Sequence, residues 1–425
     1  MKVLNTKARS ISHLYVKGWS IKLLSTLVLG SMASSVGHTT DLEIYQGATY
    51  GNASIMMMLD NSGSMNTNSI SEDYPNVSFR YSGNEQLKQD IYSDDGSRIV
   101  DSVEYRVDFY RNRYDYNDKY YDRMSRLKMA LIPMFANPKS DQAFGKDVDL
   151  SKYKIGLGSF FFQSSNEGGG KIDAPVLDLT LANRKKLINA VIALSPETNT
   201  PIANAYAEAG SYMLGTRTYS LENETRYIEV GYSEKNWHGR YNLYKCTNPS
   251  SYLSTSGSFK YYSCNSGAYS TLQSNERNLY TSLLGGFDRY SESWGGAITY
   301  YKGVTKDWPD YSYSGFERSV DSTKKQPDKL TYQSPISDEA TQCDGYGIYF
   351  LTDGVPNNAN SNTKDLMDRS LAGGSVGMGA SCDSNLTNTN SASGWECVGE
   401  YSKALYSKEN AKSNIIATAT VGFGN

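Results

Sequence analysis

Apolar positions fall into short blocks separated by long polar stretches. Residues 54–60 (SIMMMLD) run almost without a polar break and stop at Asp60, which reads as a buried strand. From Asn66 to about Tyr120 the chain is polar, tyrosine-rich and reads as irregular. At 122–135, Met124, Leu127, Leu131 and Met134 recur at helical spacing. The run 152–162 (KYKIGLGSFFF) reads as a strand, and GGGKIDAPVLDL turns and returns from it as a hairpin. Two helices follow: 182–194 has Leu187, Ile188, Val191 and Ile192 inward, and 200–214 aligns Ile202, Ala205, Tyr206, Ala209 and Met213. Residues 346–354 (YGIYFLTDG) form another buried strand, 402–412 suggests a helix, and 415–424 reads as a last strand.

Buried strands alternating with helices predict an α/β fold: a doubly wound, mostly parallel sheet with helices on both faces. The hairpin at 152–179 supplies one antiparallel edge strand. Two large loop-rich insertions are expected, at about 66–120 and 215–342. In such sheets ligands bind at the carboxyl ends of strands, near a switch in strand order.

Composition adds a compartment. The first 37 residues carry Lys2, Lys7, Arg9, Lys17 and Lys22 and no acid, followed within them by the small-residue-rich apolar run Leu23–Val36. This reads as a secretory signal peptide, a single membrane anchor being the alternative, with 38–53 as an N-terminal segment before the main domain. Removing it leaves 37 basic against 45 acidic residues, a net of −8. An acidic mature chain without a basic stripe is a poor nucleic-acid binder. No later run is apolar and long enough to span a bilayer.

Cys246 and Cys264 bracket a polar loop and are expected to pair, as are Cys382 and Cys397. Cys343 is then the odd one, with Cys382, Cys397 or a cysteine outside this chain as alternative partners. The spacings fit no zinc site. With only three histidines, among them His13 in the leader and the isolated His238, there is almost nothing for a catalytic triad or an imidazole cage. No acid–base pair or nucleophile stands out, so an enzyme is not expected.

The chemistry lies in three loops. Asp60-x-Ser62-x-Ser64 follows the first strand, with Gly63 bending the turn; Thr200 opens a helix in NTNTPIANA; Asp353 ends a strand in LTDG. Side chains at alternate positions of an extended turn converge on one point. Hydroxyls and carboxylates without thiol or imidazole suit Mg²⁺, Mn²⁺ or Ca²⁺. A simple capping turn is the plainer alternative for each loop. The run GGGKI (168–172) is not a phosphate loop, because Ile172 stands where a hydroxyl is needed. The stretch 383–394 lacks the glycine of a calcium loop. The tyrosine-rich stretches 260–269 and 286–316 either form a recognition surface or pack the insertion.

Asp60-x-Ser62-x-Ser64, Thr200 and Asp353, in that order, resemble the metal-ion-dependent adhesion site of von Willebrand factor A domains. The resemblance implies direct ligation by Ser62, Ser64 and Thr200, with Asp60 and Asp353 acting largely through bound water. One coordination position would stay open for a partner's carboxylate. Four stretches resemble more narrowly the amino-terminal half of PilC/PilY-type proteins, the tip adhesins and assembly factors of type IV pili. These are DLEIYQGATYGNASIMMMLDNSGSM, TPIANAYAEAGSYM, GIYFLTDGVPN and IIATATVGFGN. In that family a calcium-binding β-propeller follows; here the sequence stops at Asn425, which suggests a truncated chain.

The resemblance implies an extracellular, metal-dependent adhesion module. Its partner would be a host-surface or matrix protein, or a minor pilin, engaged through an acidic residue at the cell surface or pilus tip of a Gram-negative bacterium. The alternative is a structural pilus-assembly factor in which the ion only stabilises the fold.

Overall fold

The structure, a computed structural model, describes residues 53–66, 79–112, 117, 119–137, 153–164, 167–196, 199–235, 237–239, 241–256, 259–265, 268–272, 287–292, 296–338, 344–353, 357, 359, 362–383 and 394–422. The expected leader, Cys343 and nearly all of 383–394 lie outside them. The chain forms two compact units: one holds the residues up to Tyr219 and from Tyr311 onward, and the other is Ser220–Asp310.

In the first unit the chain runs β1 (Ala53–Leu59), β2 (Phe79–Tyr92), β3 (Arg98–Asn112), β4 (Lys119–Tyr121), α1 (Arg123–Ala136), β5 (Tyr153–Ser164), β6 (Glu167–Asp178), α2 (Leu181–Ala193) and α3 (Ile202–Leu214). The second unit holds β7 (Ser220–Lys235), β8 (Tyr241–Cys246), β9 (Pro249–Ser256), β10 (Phe259–Cys264), β11 (Tyr269–Thr271), β12 (Arg289–Glu292) and β13 (Ile298–Asp310). The first unit resumes with β14 (Gly345–Thr352), α4 (Asn362–Ser370), α5 (Trp395–Leu405) and β15 (Ile416–Gly422).

A five-stranded sheet in the order β15-β14-β1-β5-β6 carries the candidate site. β1 pairs in parallel with β14 and with β5, so it is the central strand. Its sequence explains why. Met56 and Met58 point into one apolar cluster, and Met57 and Leu59 into another, so both faces of the strand are dry. The first cluster holds Ile348 and Phe350 of β14 with α3, α4 and α5. The second holds Tyr349 and Leu351 with Leu127 and Leu131 of α1 and Leu187, Ile188 and Val191 of α2.

The expected whole-chain class does not hold. Among the described residues strand outweighs helix, 44% against 25%, and antiparallel pairing prevails outside the five-stranded sheet. β2, β3 and β4 make a wholly antiparallel sheet, and the seven-stranded sheet is antiparallel except where β10 runs beside β7. Nor do helices alone cover the Met57 face, since Ile91, Tyr105 and Val107 of the β2–β3 hairpin share that cluster. The reason is alternation. Tyr105, Val107 and Phe109 are buried while the neighbouring Glu104 and Arg106 are exposed, so a stretch that reads as polar is a one-faced strand. Two helices also differ from expectation. α4 has no counterpart in the sequence reading, and α5 spans 395–405 rather than 402–412.

The glycine run at 168–170 has a packing role. A Cβ on Gly170 would sit 2.7 Å from Cα of Ala205, so the missing side chain lets α3 lie directly on β6. All of α3 is buried, and Gly215 ends it in the left-handed region at φ 75°. The segment after Tyr311 then closes over β6: Val320 N donates to Ile172 O at 3.0 Å and Ile172 N to Ser319 Oγ at 2.9 Å.

Among the described residues of the second unit the aliphatic core is small: Leu272 packs with Val230, Leu243 and Tyr300. Aromatic pairs do more of the holding, including Tyr232 stacked on Tyr244 at 4.5 Å and Arg226 seated 4.7 Å above Trp308. The Cys246–Cys264 disulfide ties β8 to β10, and Cys382–Cys397 is a second disulfide, in the first unit. The insert begins and ends side by side, Ser220 pairing with Asp310 across β7 and β13.

Glu208 of α3 is fully buried. Thr218 Oγ1 and Gly315 N donate to its Oε2 at 2.7 and 2.9 Å, and the Tyr332 hydroxyl donates to Oε1. Burial nevertheless wins over these bonds and pushes the carboxyl from 4.5 to about 7. The folded protein thus keeps a proton that the unfolded chain releases. This contribution is fully present below about pH 4.5 and is lost as pH rises through about 7. Urea unfolding at pH 5 and pH 8 should show wild type losing on the order of 2–3 kcal/mol across that window. Glu208→Gln should remove that part of the dependence; an unchanged profile would show that Glu208 is not its source.

Candidate metal centre

β1 and β14 lie side by side in register, Leu59 opposite Leu351, so their carboxyl ends deliver two loops to one place. Asp60 N donates to Leu351 O at 2.8 Å, continuing the ladder one residue past β1. The Asp60 side chain is fully buried and holds the two loops together. Its Oδ1 accepts from Ser62 N at 2.7 Å; its Oδ2 accepts from the Thr352 hydroxyl at 2.6 Å and from Asp353 N at 3.2 Å. Burial pushes its carboxyl upward and the nearby Asp353 carboxylate adds to that, while the hydrogen bonds pull it back.

Ser62 opens a 3-10 turn, Gly63–Met65, but its side chain caps nothing. It turns instead to Ser64, Oγ to Oγ 2.9 Å, and the Ser64 hydroxyl donates to Asp353 Oδ1 at 2.5 Å. Neither serine side chain caps the turn, and the Asp60 carboxylate holds the backbone just before it, at Ser62 N. On the far side, Arg123 Nη1 donates to Asp353 Oδ2 at 2.9 Å. Asp60, Ser62, Ser64 and Asp353 thus form one connected group of hard oxygen atoms.

Thr200 is placed differently. It is buried, its N donates to Asn357 Oδ1 at 2.9 Å, and its O accepts from Asn357 N at 2.9 Å. Among the described residues no hydrogen bond joins it to the Asp60–Asp353 group. The loop leaving β14 contacts both, through Asp353 on one side and Asn357 on the other. Asn61 is a further strut: its Oδ1 accepts from Phe160 N at 2.8 Å, and its Nδ2 donates to Ser195 O at 3.3 Å. A cavity of about 480 Å³ opens beside Asn61, walled by Lys171 and Asp173 of β6 and Lys186 and Asn189 of α2.

Sequence reasoning missed Arg123, Thr352 and Asn61. Thr352 stands in the quoted LTDG and Asn61 within Asp60-x-Ser62, so both were in view. Arg123 carries no local signal, because only the fold brings the start of α1 to Asp353. The tyrosine-rich stretches give a mixed outcome. Tyr261 stacks on Tyr227 within the sheet, whereas Tyr290 is 61% exposed.

Among the described residues no three His, Cys, Asp or Glu side chains gather. A cation here would rest on Asp60 and Asp353 with the hydroxyls of Ser62 and Ser64, and this all-oxygen set suits Mg²⁺, Mn²⁺ or Ca²⁺. Such an ion would offset the repulsion between the two carboxylates and act as a Lewis acid toward an incoming oxygen ligand.

Asn61→Ala should destabilise the protein by about 1–3 kcal/mol, because Phe160 N loses its buried acceptor. A change in urea midpoint below a few tenths of a kcal/mol would show that the strut is dispensable. Comparison of the chain with protein-family models, curated proteins and solved structures finds no match.

Proposed function

We propose that this chain is an extracellular, metal-dependent adhesion module of a type IV pilus tip or biogenesis protein. A divalent cation, Mg²⁺ or Mn²⁺ with Ca²⁺ as the other candidate, sits at the sheet rim on Asp60, Ser62, Ser64 and Asp353, with Thr200 on the adjoining loop. Its open position takes a carboxylate from a host-surface or matrix protein, or from a minor pilin. The observation that carries this reading is the connected group Ser62–Ser64–Asp353–Asp60 at the carboxyl ends of β1 and β14. The four stretches resembling PilC/PilY-type proteins supply the biological setting. The cavity beside Asn61 offers room for residues flanking the captured carboxylate.

Two disulfides fit an oxidising compartment. No helix among the described residues is long and apolar enough to cross a membrane. A second reading, an assembly factor whose ion is purely structural, draws on the two side-chain bonds by which Asp60 already ties the end of β1 to that of β14.

Thermal unfolding with and without Mg²⁺ or Mn²⁺ tests the centre. Metal at about 100 times Kd should add roughly 2.7 kcal/mol of stability, and Asp60→Ala should abolish the response. Adhesion to immobilised matrix protein should then be lost in EDTA and restored by Mg²⁺. No stabilisation by Mg²⁺, Mn²⁺ or Ca²⁺ at millimolar concentration would overturn the reading; metal binding with EDTA-insensitive adhesion would favour the assembly role.

A further inference from the structure

Arg123 is the first residue of α1, and Asp122 before it caps the helix by accepting from Ser125 N at 2.6 Å. The cap fixes where the arginine starts. Its guanidinium lies 2.9 Å from Asp353 Oδ2, with side-chain exposures of 5% for Arg123 and 0% for Asp353. The other oxygen of the same carboxylate, Oδ1, faces Ser64. A fixed cation therefore stands directly behind the carboxylate that closes the candidate centre, on the side away from the hydroxyls. Lysine would offer one mobile ammonium here, whereas arginine holds a planar, permanently charged fork.

The charge count gives this position meaning. Asp60 and Asp353 carry two negative charges, and Arg123 returns one. A divalent ion then leaves these groups at a net +1, where without the arginine they would be neutral. In a buried setting that difference is screened little by salt.

We propose that Arg123 is a specificity-determining positioning residue of the metal centre. It draws Asp353's negative charge away from the ion, so the bound ion stays electron-poor and selects an anionic group, a carboxylate, as its last ligand. The proposal rests on the metal-centre reading above. It makes a signed trade: the arginine weakens cation binding and strengthens anion binding. A merely structural ion pair would do neither selectively, and its loss would weaken both together.

Mn²⁺ titration monitored by water-proton relaxation reads both halves. Mn²⁺ alone is added to wild type, Arg123→Gln and Arg123→Lys, and acetate or acetamide is then titrated into each loaded protein. Wild type should release Mn²⁺-bound water to acetate and not to acetamide. Arg123→Gln should bind Mn²⁺ about tenfold tighter and acetate about tenfold more weakly, as expected when one nearby positive charge is removed. Arg123→Lys should stay within about threefold of wild type for both, because the charge remains. If Arg123→Gln does not fold, Arg123→Met, which keeps the apolar stem and removes the charge, takes its place and should show the same opposed changes in Mn²⁺ and acetate binding. Parallel weakening of both ligands, or no change in a folded variant, overturns the proposal while leaving the metal centre standing. Failure of wild type to bind Mn²⁺ overturns the metal centre itself, and the role of Arg123 with it.

Discussion

Parallel strands share evenly spaced hydrogen bonds along their length, but nothing in the ladder governs the loops that leave them. At the ends of β1 and β14 that task falls to the Asp60 carboxylate, which accepts from Ser62 N on its own loop and from Thr352 and Asp353 on the other. Burying a carboxylate is expensive, and these donors offset part of the penalty at Asp60. The bonds that hold the loops together are therefore the ones that aim Ser62, Ser64 and Asp353 at each other. Site and fold meet in a single side chain, which is why the alternative structural role for an ion draws on the same geometry as adhesion.

The order in which the structure builds this point follows from packing. Alternate methionines of β1 feed two separate apolar clusters, so the strand is pinned from both faces before its final residue is reached. The glycines of β6 bring α3 close to the sheet, and the residues preceding α3 carry Thr200 to the loop after β14. Arg123 arrives by a third route, at the capped start of α1. Each contributor comes from a different stretch of chain, and no local sequence window contains the assembly.

That explains what was and was not legible. β1, α1, the β5–β6 hairpin, α2, α3, β14 and β15 stood out, because each is a compact apolar run or repeats its apolar residues at helical spacing. The β2–β3 hairpin did not, since its apolar residues are spread thinly among charged and polar ones, with Tyr105, Val107 and Phe109 at alternate positions, so that composition hides the alternation. Reading that stretch and residues 220–310 as loops made the whole chain look more parallel and more helical than it is. At the site, residue types in a familiar order placed Asp60, Ser62, Ser64 and Asp353, and local inspection could have added Thr352. Arg123 was beyond reach, because its role depends on a contact 230 residues away in sequence.

The insert that starts at Ser220 returns to its own starting point, since Ser220 and Asp310 are cross-strand partners. Just outside it, Tyr219 and Tyr311 meet ring edge to ring face at 5.0 Å within the first unit. A loop whose two ends already touch can lengthen, shrink or be exchanged without asking the host to move. The aromatic neck thus makes residues 220–310 a cassette, whose length and sequence can change without moving the ends of β1 and β14.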